Sequence, residues 1–438
     1  MSDSAQPMPP GGRAVPPGVP TTYEYPQVTA TRLLDDAAQD FPETDAIDSS
    51  GHRLTYRALA DQVDRLATAF AEMGLRDGDR VGVLLPACPQ RVVTLFAAWR
   101  VGAVVVLLEP DEQDLQAPIN ETGCRIVVCL AHLYARLGGL KGRLATVTHI
   151  LATGVEDYLP FPRNVVAPLT RRRRGAYRRI PRREGVTRFK DLIRRTVPAP
   201  PERPTRAGVP AIVAEGYVAT HAELVAGAFQ LRLWVPDIQA GRERLVNLAS
   251  PASLVEVGAT LGLGVLAAST LVLPTGAGSP PTRALRRSHP TLLVGDPGMF
   301  TAVSGGDPIE SLRVGLATGP LDPATVQAIH DASGARVRGG LAVPGVSALA
   351  HANPVYGRAR LRSAGLALPD TETAVVAEDG SPLPQGAVGA LAVRGPSVAG
   401  ARWSTGARAA VSLGDPWVAT PFRGHLDGDG YLWLDEPA

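Results

Sequence analysis

Cysteines are scarce in this chain, and long apolar runs are missing. The three cysteines, Cys88, Cys124 and Cys129, have no histidine pair nearby, which argues against a metal site and indicates a reduced setting. No apolar run reaches the ~18 residues of a membrane span, and the first residues lack the basic and apolar regions of a secretion signal. We therefore expect a cytoplasmic protein, and the sequence leaves a peripheral contact with a membrane open.

A strong net charge is also missing. With 44 basic and 42 acidic residues the net charge is +2, so no global field favours nucleic acid or acidic partners. A hydrophobic content of 45% over 438 residues is ample for the large core of two or three domains.

The basic residues are unevenly spread. Residues 160–206 include four consecutive arginines, Arg171 to Arg174, and few acids. We favour a solvated connector between subdomains; the alternative is an anionic membrane surface bound through residues 163–206, at ~1 kcal/mol per basic side chain. Nucleic-acid binding is not expected, because Tyr177 is the main aromatic residue interleaved with these charges.

The hydrophobic pattern predicts an α/β protein. Residues 1–28 are rich in Pro and Gly, and we expect them to be disordered. Thr55 is a plausible N-cap for a helix that ends near Gly74. Short apolar runs alternating with helical patterns then predict mainly parallel sheets covered by helices, and the pattern turns to β after about residue 356. The predicted parallel strands are 81–85, 104–108, 126–128, 245–248, 271–273, 292–294 and 312–314.

Several short motifs occur in the order typical of one family. They are Leu54-Thr55-Tyr56, Gly78-Asp79-Arg80-Val81, Gly102-Ala103-Val104-Val105 and Gly365-Leu366-Ala367-Leu368-Pro369-Asp370-Thr371-Glu372. Over roughly residues 29–434 the chain resembles the acyl-CoA synthetase branch of the adenylate-forming (AMP-binding) superfamily, closest to long-chain fatty-acid CoA ligases.

The resemblance implies a fold of two packed, doubly wound αβ subdomains, here 29–206 and 207–355, followed by a small β-barrel-like subdomain, 356–438. The family adds a C-terminal ligase domain, and we expect this domain to be absent because the sequence stops at 438.

The family's phosphate-binding loop has no counterpart here. Family members place a glycine-rich run, ending in Pro-Lys-Gly, between an apolar strand and a Thr-His helix start. Here the strand leads straight to Glu215 and Gly216, then to Thr220 and His221, and Glu215 stands where the family has lysine. Such loops bind triphosphate through converging backbone N–H groups, hydroxyls and the lysine. A direct junction between strand and helix offers few donors, and its carboxylate repels an anion.

Other family motifs are altered as well. The run Gly-Tyr-Gly-Leu-Thr-Glu keeps Gly340, whereas its stacking aromatic, hydroxyl and metal-binding acid become Leu341, Pro344 and Gly345. After a retained Thr420, the ribose-binding acid becomes Phe422. A histidine at the acyl pocket corresponds to Leu254.

We therefore predict no intact catalytic set, no metal site and no bound cofactor, although the family uses ATP, magnesium and coenzyme A. The main hypothesis is a pseudoenzyme that keeps the fold for binding or scaffolding in fatty-acid metabolism, with an acyl ligand or an active ligase as partner. Two alternatives remain open: a weak or partner-dependent acyl-CoA ligase that forms an acyl adenylate, and a peripheral membrane module.

Overall fold

The computed structural model describes residues 14–109, 112–140, 142–160, 185–202, 206–273, 282–404, 409–414 and 416–435. The helices are α1 (Ala30–Asp40), α2 (Tyr56–Glu72), α3 (Pro89–Arg100), α4 (Gln116–Thr122), α5 (Tyr134–Gly139), α6 (Phe189–Arg195), α7 (His221–Trp234), α8 (Leu254–Ala259), α9 (Thr282–Ser288), α10 (Pro297–Ser304) and α11 (Pro323–Ser333), with a 3-10 turn (Val155–Tyr158) and a π-helical turn (Thr260–Val265).

The strands are β1 (Asp45–Ser49), β2 (His52–Thr55), β3 (Arg80–Leu84), β4 (Val104–Leu107), β5 (Cys124–Leu130), β6 (His149–Thr153), β7 (Val186–Arg188), β8 (Pro210–Ala214), β9 (Tyr217–Thr220), β10 (Arg244–Leu248), β11 (Thr270–Val272), β12 (Leu292–Gly295), β13 (Val314–Ala317), β14 (Arg336–Arg338), β15 (Gly340–Ala342), β16 (Leu349–Ala352), β17 (Leu366–Ala367), β18 (Glu372–Val376), β19 (Gly389–Arg394), β20 (Ala401–Ser404), β21 (Ala409–Ser412), β22 (Val418–Leu426) and β23 (Leu432–Leu434).

Two large sheets form the centre of the molecule. The nine-stranded sheet has the order β21-β20-β9-β8-β4-β3-β5-β6-β7, and its strands from β8 to β7 are parallel. The seven-stranded sheet has the order β14-β13-β12-β10-β11-β1-β2, and all but β2 are parallel. Two antiparallel sheets, β15-β16-β17 and β18-β19-β22-β23, complete the fold. The predicted α/β class is confirmed.

The predicted subdomain boundaries do not divide the sheets. Strand β1, from the predicted first subdomain, pairs with β11 of the seven-stranded sheet through Ile47 and Leu271. Strands β8 and β9, which follow residue 206, belong to the nine-stranded sheet, and β20 joins them through Ala401 and Val218. Because of these long-range pairings, each large sheet contains strands from both predicted αβ subdomains. Hydrophobic periodicity within one segment predicts a strand but not the distant strand with which it pairs.

Residues 14–28 are ordered, contrary to the prediction for 1–28. Val19 is buried, the Ala14 N–H donates to the Asp429 carbonyl, and the ring of Tyr23 stacks on Phe229 with centroids 5.5 Å apart. The segment has little apolar surface of its own, but α7 and the loops after β17 supply partners for it. Residues 1–13 lie outside the described part of the chain.

The predicted basic connector is partly built into the sheet. Residues 185–195 form β7, which pairs with β6, and α6, whose Phe189 is fully buried. This part is not a solvated linker. Residues 161–184 and 203–205, which include the arginine run and much of the predicted membrane surface, lie outside the described residues. No helix in the described ranges is both long and apolar enough to cross a membrane.

Helix starts follow local sequence, while close helix packing depends on glycine. Thr55 caps α2 by accepting from the Ala58 N–H, as predicted. Helix α8 approaches the loop before β16 so closely that a Cβ on Gly258 would lie 1.5 Å from the Ser347 carbonyl oxygen. The Ser347 hydroxyl in turn donates to the Glu223 carbonyl of α7 at 2.7 Å.

Gly258→Ala should therefore destabilise the protein, because the backbone of residue 347 must move to make room. We expect a loss of about 1–3 kcal/mol or more in the free energy of unfolding, measured by urea denaturation. Gly208→Ala is the matched control: a Cβ there meets nothing within 4 Å, and a change within about 0.5 kcal/mol is expected. Equal effects of the two substitutions would contradict the close approach.

Candidate functional site

The candidate site is the crevice where the carboxyl ends of strands from the two large sheets face each other. In open α/β folds, ligands bind outside such strand ends. Here two contacts bridge the crevice directly. The Ser250 hydroxyl, after β10, donates to the Glu109 carboxylate, after β4, at 3.4 Å. The Leu254 N–H, at the start of α8, donates to the Glu215 carboxylate, after β8, at 3.3 Å.

A two-residue hairpin stands where the sequence predicted a direct junction between strand and helix. Strands β8 and β9 pair antiparallel up to Ala214 and Tyr217, which leaves only Glu215 and Gly216 in the turn. Both have left-handed φ angles, 54° and 78°, the pattern of the tight hairpin turns that match strand twist. A glutamate with positive φ is uncommon. The predicted junction is thus corrected to strand, turn, strand and helix.

The hairpin brings three altered motif positions together. The Glu215 carboxylate accepts a hydrogen bond from the backbone N–H of Leu254 at 3.3 Å, and the backbone N–H of Gly345 lies close enough to lower the pKa of the same carboxylate. The residue as a whole is exposed, but its carboxylate end faces the protein, and this desolvation raises the pKa of Glu215 above its ordinary value. The two amides lower the pKa and the nearby charge of Glu109 raises it further, so the net shift is upward.

Tyr217 covers the position of the family's metal-binding acid. Gly345 has a φ of 84°, and a Cβ on it would lie 2.8 Å from atoms of the Tyr217 ring. The other neighbour of this ring is Arg402, whose guanidinium lies 4.5 Å from the ring centroid and 2.5 Å from the phenol oxygen. A longer side chain at position 345 therefore has no room in this arrangement.

The rest of the altered 340–345 motif is structural. Gly340 and Leu341 are buried in β15, which pairs with β16, and Pro344 is half-buried in the following turn. Leu254 is fully buried at the first position of α8 and provides its backbone N–H to the site.

Thr220 and His221 act at the start of a helix. The Thr220 hydroxyl accepts from the Glu223 N–H, and the Glu223 carboxylate accepts from the Thr220 N–H, which forms a capping box. His221 is buried, its Nδ1 accepts from the Ala30 N–H at 3.3 Å, and burial lowers its pKa to about 4. The imidazole is neutral near pH 7 and is held among core residues.

Phe422 and Thr420 lie on a different sheet from Glu215. They belong to β22 of the four-stranded sheet, where the Phe422 N–H donates to the Thr420 hydroxyl at 3.2 Å. The half-buried Phe422 ring packs against the core. This position thus offers an apolar surface and no oxygen ligand.

A buried ion pair beside the crevice was missed by the sequence analysis. Arg91, in the first turn of α3, donates to the Glu256 carboxylate of α8 at 2.7 Å, and their side chains are only 3% and 7% exposed. The Thr260 hydroxyl donates to the same carboxylate at 3.2 Å. The two residues are 165 positions apart, so no local spacing links them, and Arg91 shares its helix with other polar residues, Gln90, Thr94 and Arg100.

The turn at the candidate site is short and carries an acidic side chain. It has two residues, Glu215 supplies a carboxylate, and Gly345 lies under the ring of Tyr217. Within the ranges that the structure describes, no group of three or more His, Cys, Asp and Glu side chains could hold a metal ion.

The best-formed cavities in the described residues are small and lie elsewhere. One, of about 20 Å³, lies between α10 and α11. The other, of about 10 Å³, lies under residues 14–21 beside Trp234. Both have the size of a water molecule, and neither is lined by residues of the crevice.

The raised pKa of Glu215 predicts a pH-dependent stability. A carboxyl group whose pKa is higher in the folded than in the unfolded state stabilises the fold below its unfolded pKa, and this stabilisation is lost as pH rises through the folded pKa. Glu215→Gln keeps an acceptor for both amides but cannot ionise. Wild type should therefore gain stability relative to this variant as the pH falls from about 8 to about 4, measured by urea denaturation. A pH-independent difference would contradict the burial of the carboxylate.

The ion pair predicts a second stability effect. Glu256→Ala leaves the Arg91 guanidinium buried without its carboxylate, and we expect a loss of about 3–5 kcal/mol in unfolding free energy. The double variant Arg91→Met with Glu256→Met removes both charges and should recover most of that loss. If denaturation shows the double variant to be no more stable than the single one, the pair is not behaving as a buried charge pair.

Comparison with known proteins agrees with the fold. The sequence matches the AMP-binding enzyme family over residues 34–174 and 215–401. It is 25% identical to a long-chain-fatty-acid–CoA ligase of Bacillus subtilis over 440 aligned positions, covering 96% of this chain and 78% of the relative.

Solved structures show the same architecture. A long-chain-fatty-acid CoA ligase structure from Rhodopseudomonas palustris superposes with a TM-score of 0.76 and 21% identity, covering 93% of this chain and 98% of that one. An anthranilate CoA ligase bound to anthranoyl-AMP also gives a TM-score of 0.76, with 18% identity, covering 95% of this chain and 78% of the other. With the family match extending over most of its length, the chain belongs to the AMP-binding enzyme family.

Proposed function

We propose that this protein is a non-catalytic member of the family, which keeps the fold for binding or scaffolding and does not form an acyl adenylate. The observation that carries the proposal is the two-residue turn of Glu215 and Gly216. It leaves no loop whose amides could converge on a triphosphate, and it puts a carboxylate where the bound anion would need positive charge.

The expected loss of catalysis is large. Enzymes lower barriers by ~8–23 kcal/mol, and removing one well-placed electrostatic donor typically costs ~2.7–4 kcal/mol. Here the loop, its lysine and the metal-binding acid are replaced together. Such contributions are not additive, but they act on the same developing charge. The alternative is a weak ligase that catalyses the reaction of the named relatives. The experiment below distinguishes this alternative from a non-catalytic protein.

Two binding roles remain within this proposal: a bound acyl chain, or scaffolding with an active ligase as partner. Residues 163–184 and 203–205 of the basic segment lie outside the described residues, so a role at an anionic membrane stays a prediction.

A titration with ATP and magnesium tests the proposal directly. A ligand that binds only the folded state at 100 times its Kd stabilises that state by ~2.7 kcal/mol. We expect no saturable heat in calorimetry and no rise in Tm with millimolar ATP and magnesium. Pyrophosphate exchange with a panel of fatty acids should stay at background.

An active fatty-acid CoA ligase, measured in parallel, is the positive control for both assays. Circular dichroism of the same preparation shows that it is folded. Saturable nucleotide binding, or fatty-acid-dependent exchange above background, would refute the non-catalytic assignment.

A further inference from the structure

Building on the proposed function, we propose that the hairpin at residues 214–217 is a built-in clasp. In this clasp, Glu215 and Tyr217 occupy the crevice themselves and hold its two walls together, so that the chain keeps its own ligand site closed. The crevice is then an internal interface of the folded protein.

The Glu215 carboxylate joins three separate parts of the fold. The hairpin belongs to the nine-stranded sheet, Leu254 begins the helix that follows β10 of the seven-stranded sheet, and Gly345 lies in the turn between β15 and β16. The Leu254 N–H donates to this carboxylate at 3.3 Å, and the Gly345 N–H lies close enough to lower its pKa. The carboxylate therefore takes the position that a bound anion would take between the two walls.

Tyr217 supplies the second half of the clasp. Its ring lies against Gly345, where even a Cβ would approach ring atoms to 2.8 Å. On the other side, Arg402 stacks on the ring and contacts the phenol oxygen, and the pairing of β9 with β20 places these two residues opposite each other. The Gly345 carbonyl also accepts from the Ala399 N–H at 2.8 Å. The turn after β15 is thus held from both its N–H and its C=O side.

The turn geometry makes this arrangement specific. Because only two residues connect β8 and β9, Glu215 and Tyr217 have fixed positions relative to the strand pairing. Glu109 lies near enough to Glu215 to raise its pKa, and the exposed Arg402 guanidinium at Tyr217 carries the opposite charge. The clasp therefore closes the crevice by the steric contacts of its two side chains.

Hydrogen exchange at single amides tests the clasp. In wild type, the Leu254 and Gly345 N–H groups should be protected. In Glu215→Ala they lose their acceptor and should exchange about tenfold faster or more, since a hydrogen bond to a charged group contributes at least as much as a tenfold change in an equilibrium constant. Glu215→Gln keeps an acceptor oxygen and should retain most of the protection. Exchange is read by NMR on the full-length protein, with amides in β3 and β5 as internal references.

Glu378→Ala is the matched control, because Glu378 is an exposed glutamate in another turn, after β18. It should leave the exchange of Leu254 and Gly345 unchanged. If these two amides exchange equally fast in wild type and Glu215→Ala, or if Glu378→Ala accelerates them as much, the clasp is refuted. This outcome is distinct from failure of the proposed function, which would appear as nucleotide binding or pyrophosphate exchange by the wild-type protein.

Discussion

The turn between β8 and β9 is the constraint on which the crevice depends. Two residues with left-handed backbone angles reverse the chain direction in a tight turn, so β9 pairs with β8 along its whole length. Strand β9 in turn pairs with β20 and extends the sheet. That pairing positions Tyr217 over Gly345 and the Glu215 carboxylate at the Leu254 N–H. A longer loop would release both side chains from these positions, and the crevice walls would lose their shared contacts.

The charges around the crevice are consistent with this closed state. The nearby buried cation, Arg91, is paired with Glu256 at the start of α8. A buried guanidinium that already binds a carboxylate in the protein has little left to offer an anionic ligand, and separating the pair would be costly. Glu109 and Glu215 add two carboxyl groups to the crevice, and the exposed Arg402 guanidinium beside Tyr217 adds a positive charge.

The walls of the crevice are formed by segments that lie far apart in the sequence. Strands β1 and β2 belong to the sheet formed mainly after residue 240, and β20 and β21 extend the sheet that starts at β3. Residues 14–28 pack on α7 and reach Asp429 near the other end of the chain. The Ser347 loop approaches α8 at Gly258, where only a hydrogen fits. The walls that the hairpin joins are therefore each anchored by long-range contacts.

The sequence by itself determined the α/β class, most of the parallel strands and the capped start of α2, because periodicity and capping are local properties. It did not determine that β9 turns back as a strand, that residues 14–28 become ordered, or that Arg91 meets Glu256. Tertiary structure decided these features, since each depends on a partner more than a hundred residues away or on a turn whose geometry only the neighbouring strands impose. The same holds for the meeting of Glu215, Leu254 and Gly345: their identities are visible in the sequence, but they lie together only because three separate elements converge.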